Sequence, residues 1–201
     1  MEIDLKNLTP DVRKLNDIKN VIYDQEWLKT ADDFDLYYMY RMLQEKNGLR
    51  YDITVILPKM LGNEFVKTKG HEHSGNYGEI YIVLEGEGIY LMQKGDENKI
   101  EDAAAIKAKK GEAVIIPPGY GHVTINSSEK KLKTANWIVK EGKGNFDLFE
   151  KMQGACYYYL KSLSTGQGVW IKNKNYKSVP ELRFEEPLKS VPENLDFLKS
   201  R

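Results

Sequence analysis

From Phe34 onward the polar and apolar positions follow the two-residue rhythm of strands. F-D-L-Y-Y-M-Y-R-M-L is rich in aromatics and holds no breaker, and Gly48 then makes a turn. R-Y-D-I-T-V-I-L follows, with Tyr51, Ile53, Val55 and Leu57 on one apolar face until Pro58 ends the strand. Residues 63 to 73 predict the next strand. Glu79 to Leu84 is β-branched and apolar on both faces, the composition of a strand buried between two layers, and parity puts Glu79 and Tyr81 on the same side. Gly86 and Gly88 turn the chain into Ile89 to Gln93, and Lys94-Gly95-Asp96 turns it again. Val114 to Ile116, His122 to Asn126 and Lys131 to Val139 continue the pattern. Asp147 to Gln153 predicts a short helix ending before Gly154, and Tyr157 to Leu160 with Val169 to Lys172 predicts a late strand pair. Many short strands with glycine and proline turns define an all-β sandwich or barrel with few helices.

The ends read differently. Residues 1 to 33 form an N-terminal arm in which Thr9-Pro10-Asp11 is a helix-start signal, Val12, Leu15 and Ile18 give weak helical spacing, and a second short helix covers about Asp24 to Lys29. Residues 34 to 179 are the barrel. The tail from 180 to 201 carries three prolines among charges and is expected to wrap the outside, with a last helical turn near Pro192 to Lys199. No repeat or linker marks a second domain.

Composition narrows the functional classes. Thirty basic and thirty acidic residues cancel in 201, so no broad field recommends nucleic acid or an anionic membrane as partner. A lone Cys156 forms no intrachain disulfide, the opening M-E-I-D-L-K lacks a signal-peptide core, and no apolar run approaches the ~20 residues that cross a bilayer. A cytoplasmic protein is the expectation. Thirteen tyrosines suit a pocket for hydroxyls and sugar faces, although strand propensity accounts for most of them.

The chemistry concentrates in two stretches. T-K-G-H-E-H-S-G-N-Y-G-E-I-Y holds two of the three histidines, and G-E-A-V-I-I-P-P-G-Y-G-H-V-T-I-N holds the third. In a strand His71 and His73 share a face while Glu72 points away. Three imidazoles, His71, His73 and His122, with the carboxylate of Glu79 make a mixed nitrogen and oxygen site for Fe(II), Mn(II), Ni(II) or Zn(II). Asn126, on the face of His122 and Thr124, reads as structural, bonding backbone near its turn.

The second stretch fits the second cupin motif: Gly111, Pro117, Gly119, His122 and Asn126 fall at its spacings. The first resembles an altered first motif, with H-x-H intact and Gly86 seven residues after Glu79, but with five residues between His73 and Glu79 and Phe65 in place of a leading glycine. With T-K-G-H-x-H before and E-x-Y after, these departures are similar to the cupin-type glucose-6-phosphate isomerases, from R-K-L-N-D at Arg13 to about Arg183. That resemblance implies a single cupin jelly-roll barrel, and it makes Ile100 to Ala108, despite three consecutive alanines, a strand of the hairpin arriving at Lys109-Lys110-Gly111. It implies interconversion of glucose 6-phosphate and fructose 6-phosphate through an enediol with one divalent metal per subunit, Fe(II) first, and a homodimer. It gives Glu79 as ligand, base or both; Tyr81, two residues along on the same face, is placed by parity to donate or accept a hydrogen bond to the sugar and is its catalytic neighbour. It puts Tyr37, Thr54, Thr68 and Gly70 at the phosphate and the loop Gly142 to Gly144 over the pocket mouth; Lys67 or Lys69 could add charge there, but both are expected to cover the outer face. Asn145 stands where the family carries a histidine. The alternatives are another metal cupin, an Fe(II) oxygenase or a phosphosugar or nucleotide-sugar epimerase, and a sugar-phosphate-binding protein without chemistry.

Overall fold

The structure, a computed structural model, describes residues 3–199. Its first element is not the helix that Thr9-Pro10-Asp11 signals. Strand β1 (Asp11–Lys14) pairs antiparallel with β2 (Asp35–Lys46) and leaves Val12 exposed. The helical spacing is realised one step later, in a 3-10 helix at Leu15–Val21 that buries Leu15, Ile18 and Val21. Tertiary pairing has overridden a weak local signal. Helix α1 (Gln25–Leu28) lies within the expected second helix, capped by the Asp24 carboxylate accepting from the Trp27 amide at 2.8 Å.

Strand β2 turns into β3 (Leu49–Ile56) through Asn47 and Gly48, both at positive φ (53° and 75°), the two-residue hairpin turn that Asn-Gly favours. After the short β4 (Met60–Leu61), the strand expected over 63 to 73 is instead broken into β5 (Glu64–Phe65) and β6 (Glu72–His73). Gly70 causes part of the break: its φ is 81°, and a Cβ there would lie 2.4 Å from Val123 and 2.6 Å from Phe149. Between the fragments the chain still bonds its neighbour, through a Lys67 to Ile125 bridge and a His71 to His122 bridge.

The remaining barrel strands are β7 (Glu79–Glu85), β8 (Glu87–Gly95), β9 (Ile100–Lys109), β10 (Ala113–Ile116), β11 (Gly121–Ile125) and β12 (Leu132–Val139). The alanine run of β9 is strand, as the hairpin requires. A six-stranded sheet, ordered β1-β2-β3-β12-β7-β10, faces a second sheet containing β11-β8-β9. The Tyr90 and Thr134 hydroxyls meet across the gap at 2.7 Å, and Ile56, Val83, Met92, Ala104, Ile106 and Val123 fill the apolar part between the layers.

After β12 come β13 (Gly144–Asn145), α2 (Asp147–Lys151), β14 (Tyr157–Lys161) and β15 (Gly168–Lys172). The tail runs outside, adding β16 (Arg183–Glu185) parallel to β9, bridging Leu188 to Ala113, and seating a 3-10 helix at Asp196–Leu198 whose Leu198 is buried in a second apolar cluster with Leu49, Ile80 and Ala113.

Candidate active site

Strands β6, β7 and β11 bring the two histidine stretches to one place. One ligand atom from each of His71, His73, Glu79 and His122 lies within 4.8 Å of the others. The His71 and His122 rings are 4.5 Å apart, and Glu79 is 2% exposed, so a carboxylate sits among imidazoles away from water. Burial, and then the neighbouring His122, push the His71 imidazole down to about 3, which leaves a neutral ring with a free lone pair. Burial works to raise the Glu79 carboxyl, but the His122 and His73 imidazoles beside it outweigh burial and hold the group well below the usual carboxylate range.

Hydrogen-bond direction tests whether a cation fits. The Tyr77 carbonyl can only accept, so His73 Nδ1, 3.1 Å away, carries the proton. In the neutral ring Nε2 is then a bare acceptor, and it faces Glu79 Oε2, another acceptor, at 3.1 Å. His122 Nε2 lies 3.3 Å from the same oxygen and 3.0 Å from the Tyr81 hydroxyl. Acceptors converging in a dry pocket repel unless a proton or cation lies among them, and neutral imidazoles with a carboxylate are the donor set of a borderline divalent metal. The carbonyl on His73 Nδ1 is also the kind of outer partner that fixes a ligating tautomer. The residues fit the group.

The cluster opens into a cavity of about 500 Å³. Glu79 and Tyr81 both line it, as parity requires, and burial followed by the Glu79 charge raises the Tyr81 phenol well above its usual range, so its proton is firmly held. Tyr37, Thr54, Thr68 and Gly70 line the same cavity. The Tyr37 hydroxyl accepts from the Lys69 amide at 3.2 Å, and Thr68 Oγ1 accepts from the Thr124 amide at 3.0 Å. Asn126 does what its position suggests, donating to the carbonyls of Ile56 and Lys130.

Two lysine assignments are corrected. Lys67 is buried and paired with the buried Glu64 carboxylate, beneath the Tyr158 ring, while Lys69 lines the cavity, paired with Glu150 and 5.1 Å from the Phe146 ring centre. Neither covers an outer face. Sequence reasoning also missed Arg13 and Arg41. They come from β1 and β2, three and more strands away from β7, about 14 Å along the sheet at the usual strand spacing. Arg13 pairs across from Tyr37, and its buried Nε has no hydrogen-bond partner among the described residues. The only signal was parity: Tyr37, Met39 and Arg41 alternate on one face of β2. The loop Gly142 to Gly144 does lie at the cavity, with Phe146 beside it. Asn145 turns away: it is exposed, and its Oδ1 accepts from the Asp147 amide at 3.0 Å.

A two-layer β-barrel with three imidazoles and a carboxylate meeting inside it is a cupin barrel with a candidate metal centre. The chain belongs to the glucose-6-phosphate isomerase family, whose model, described as Glucose-6-phosphate isomerase (GPI), matches residues 12–181. Among curated proteins it is similar to the glucose-6-phosphate isomerase of Thermococcus litoralis, 37% identical over 132 residues that cover 63% of this chain and 67% of that one. It is also similar to the one of Pyrococcus horikoshii, 35% identical over 125 residues covering 59% and 64%. The chain thus spans about two thirds of the length of these relatives. Among solved structures, a predicted oxalate decarboxylase of Thermotoga maritima aligns with TM-score 0.42 and 18% identity, over 69% of this chain and 98% of that one. No helix among the described residues is long and apolar enough to cross a membrane.

Proposed function

We propose that this protein interconverts glucose 6-phosphate and fructose 6-phosphate using one divalent metal ion per subunit, Fe(II) first among Mn(II), Ni(II) and Zn(II). The observation that carries the reading, beside family membership, is a single cavity lined both by His71 and Glu79 of the four-residue cluster and by the cations Arg13, Arg41 and Lys69. The cluster would hold the ion, which as a Lewis acid offsets negative charge developing on the sugar oxygens.

Glu79 is the proposed base. The other buried carboxylate on the cavity wall, Asp52, is taken up by Arg50 Nε at 3.0 Å and the Met42 amide at 2.8 Å. In the aldose-to-ketose direction the C2 proton passes to a Glu79 oxygen, its electron pair forms the C1–C2 double bond as the C1–O1 π pair moves onto O1, and the ketose follows when the O2–H pair forms the C2 carbonyl and the C1–C2 π pair takes the proton back at C1. A proton also moves from O2 to O1. Tyr81, holding its own proton, is the hydrogen-bond partner for these oxygens. Elsewhere on the cavity wall the 6-phosphate meets Thr54, Thr68, the Gly70 amide and the hydroxyl of Tyr37, with charge from Arg13, Arg41 and Lys69. Asn145 supplies no imidazole, so ring opening is left to water or another group.

The protein is further taken to be a cytoplasmic homodimer, a state that sedimentation equilibrium tests. The activity is tested by loading purified protein with each of the four metals and following sugar-phosphate conversion in deuterated water. Metal-dependent turnover with deuterium entering at carbon is expected. No turnover with any of them overturns the reading, and oxygen consumption would replace it with an oxygenase.

A further inference from the structure

The segment Ser74 to Gly78, the insertion between His73 and Glu79, touches two things at once. On the metal side the Tyr77 carbonyl accepts from His73 Nδ1, and the Tyr77 ring stacks on the His73 ring, with centroids 4.9 Å apart and planes 22° from parallel. On the mouth side the Tyr77 hydroxyl accepts from the Lys143 amide at 2.7 Å and donates to the Lys143 carbonyl at 2.9 Å. The Ser74 amide reaches the same carbonyl at 3.0 Å.

The mouth loop, residues 140–145, is thereby held at both ends. Its first end is clasped by Arg50, whose Nη1 donates to the carbonyls of Lys140 and Gly142 at 3.0 Å each while its Nε is braced by Asp52. Its second end pairs with β6 and passes so close to the cluster that a Cβ on Gly144 would lie 2.8 Å from the His71 ring. The two fastenings are unequal. The Arg50 end is charge-assisted and its bond to Gly142 is partly buried, whereas the Tyr77 bonds are neutral and exposed to competing water, so they are the ones that release first.

We propose that residues 140–145 form a strap across the cavity mouth that opens at its Tyr77 end and hinges at its Arg50 end, and that Tyr77 is a positioning residue, with its hydroxyl latching the strap and its ring steadying His73. The strap's substrate role rests on the sugar-phosphate reading; its latch and the ring's effect do not.

Tyr77→Phe removes the hydroxyl and keeps ring and carbonyl. Without sugar present, trypsin cleavage after Lys143 should become about tenfold faster, because losing two hydrogen bonds raises the open population, while the melting temperature falls by no more than about 5 °C. Unchanged cleavage overturns the latch. In manganese(II)-loaded protein, Tyr77→Ala should release metal to a chelator about fivefold faster than the wild type, and Tyr77→Phe should restore the slow rate. Equal release from both variants, whether fast or slow, overturns the positioning of His73. With glucose 6-phosphate, Tyr77→Phe should raise KM severalfold with kcat within about twofold. If no variant and no wild type turns over sugar, the function proposed above has failed, and the cleavage and chelation results still decide this one.

Discussion

Beside the cavity, four side chains reach one point from two short motifs, with Glu79 and His122 buried and His71 and His73 partly so, held in place by packing and by one another. Elsewhere on the cavity wall Arg13, Arg41 and Lys69 come from separate parts of the chain and keep contact with water, Arg41 reaching Asp11 at 3.3 Å and Lys69 closely paired with Glu150. The difference is physical. A buried site for a small cation tolerates no slack, because each ligand left without its partner costs the full desolvation of a polar group. A phosphate is large, keeps part of its hydration, and is attracted over distance, so approximate placement of cations suffices.

The comparison breaks most sharply at the cluster. His122→Ala removes a ring that the fold buries to 2% and that only this position can supply, so metal content should fall to a small fraction and turnover by more than about a hundredfold. Metal analysis beside an activity assay checks both. Retention of full metal would mean that the cluster is not the binding site.

Lys67 and Lys69, two residues apart, set the same contrast within one segment. Lys67→Met should cost about 3 kcal/mol of stability, because it leaves Glu64 buried with only the Tyr23 amide, at 2.9 Å, to satisfy it. The sign with pH follows from burial, which raises the Glu64 carboxyl against the opposing pull of Lys67. Without Lys67 the folded-state value rises further. Stability of the variant is then best preserved at acid pH, where Glu64 is protonated in both states, and is lost as pH rises through the raised folded value. Denaturant melts of both proteins across pH show this; a variant gap that widens toward acid refutes it. Lys69→Met should leave stability nearly unchanged.

A smaller effect is expected from Arg41→Ala, whose side chain is 46% exposed. KM for glucose 6-phosphate should rise about tenfold with kcat within twofold, and salt should raise the KM of the variant less than that of the wild type. A loss in kcat instead would move Arg41 from phosphate recognition to the reaction itself.

The same contrast governs what was legible in the chain. The barrel and the cluster could be read because strand alternation and motif spacing are local, and the side on which Glu79 and Tyr81 fall follows from parity alone. The alanine run at 103–105 was placed correctly only through its motif neighbour, since composition favours a helix there. Arg13 was hidden because β1 was read as a helix: with 3.6-residue periodicity its side chain has no reason to meet Tyr37, and only the pairing of β1 with β2 creates that neighbourhood. Lys67 shares the parity of His71, so alternation alone would have turned it inward; its charge argued for the outer face, its partner Glu64 could not be foreseen, and the 63 to 73 stretch loses its phase at Gly70.

That loss of phase makes Glu72→Ala the finest test of the comparison. Glu72 is the residue between two ligands, and its carboxyl is raised by partial burial, so it is not simply a solvated charge. It pairs with Asn145 in the short β6 to β13 ladder, and its Cγ lies 2.8 Å from where a Gly121 Cβ would stand, which places it behind the cluster against β11. Alternation within β6 survives, because the break at Gly70 precedes it. Glu72→Ala should therefore change metal content by less than a tenth and activity by less than about twofold, with any change in stability below about 1 kcal/mol. A large metal loss would mean that Glu72 turns into the cluster when the ion binds, and that the two faces of β6 are not separated as the backbone shows.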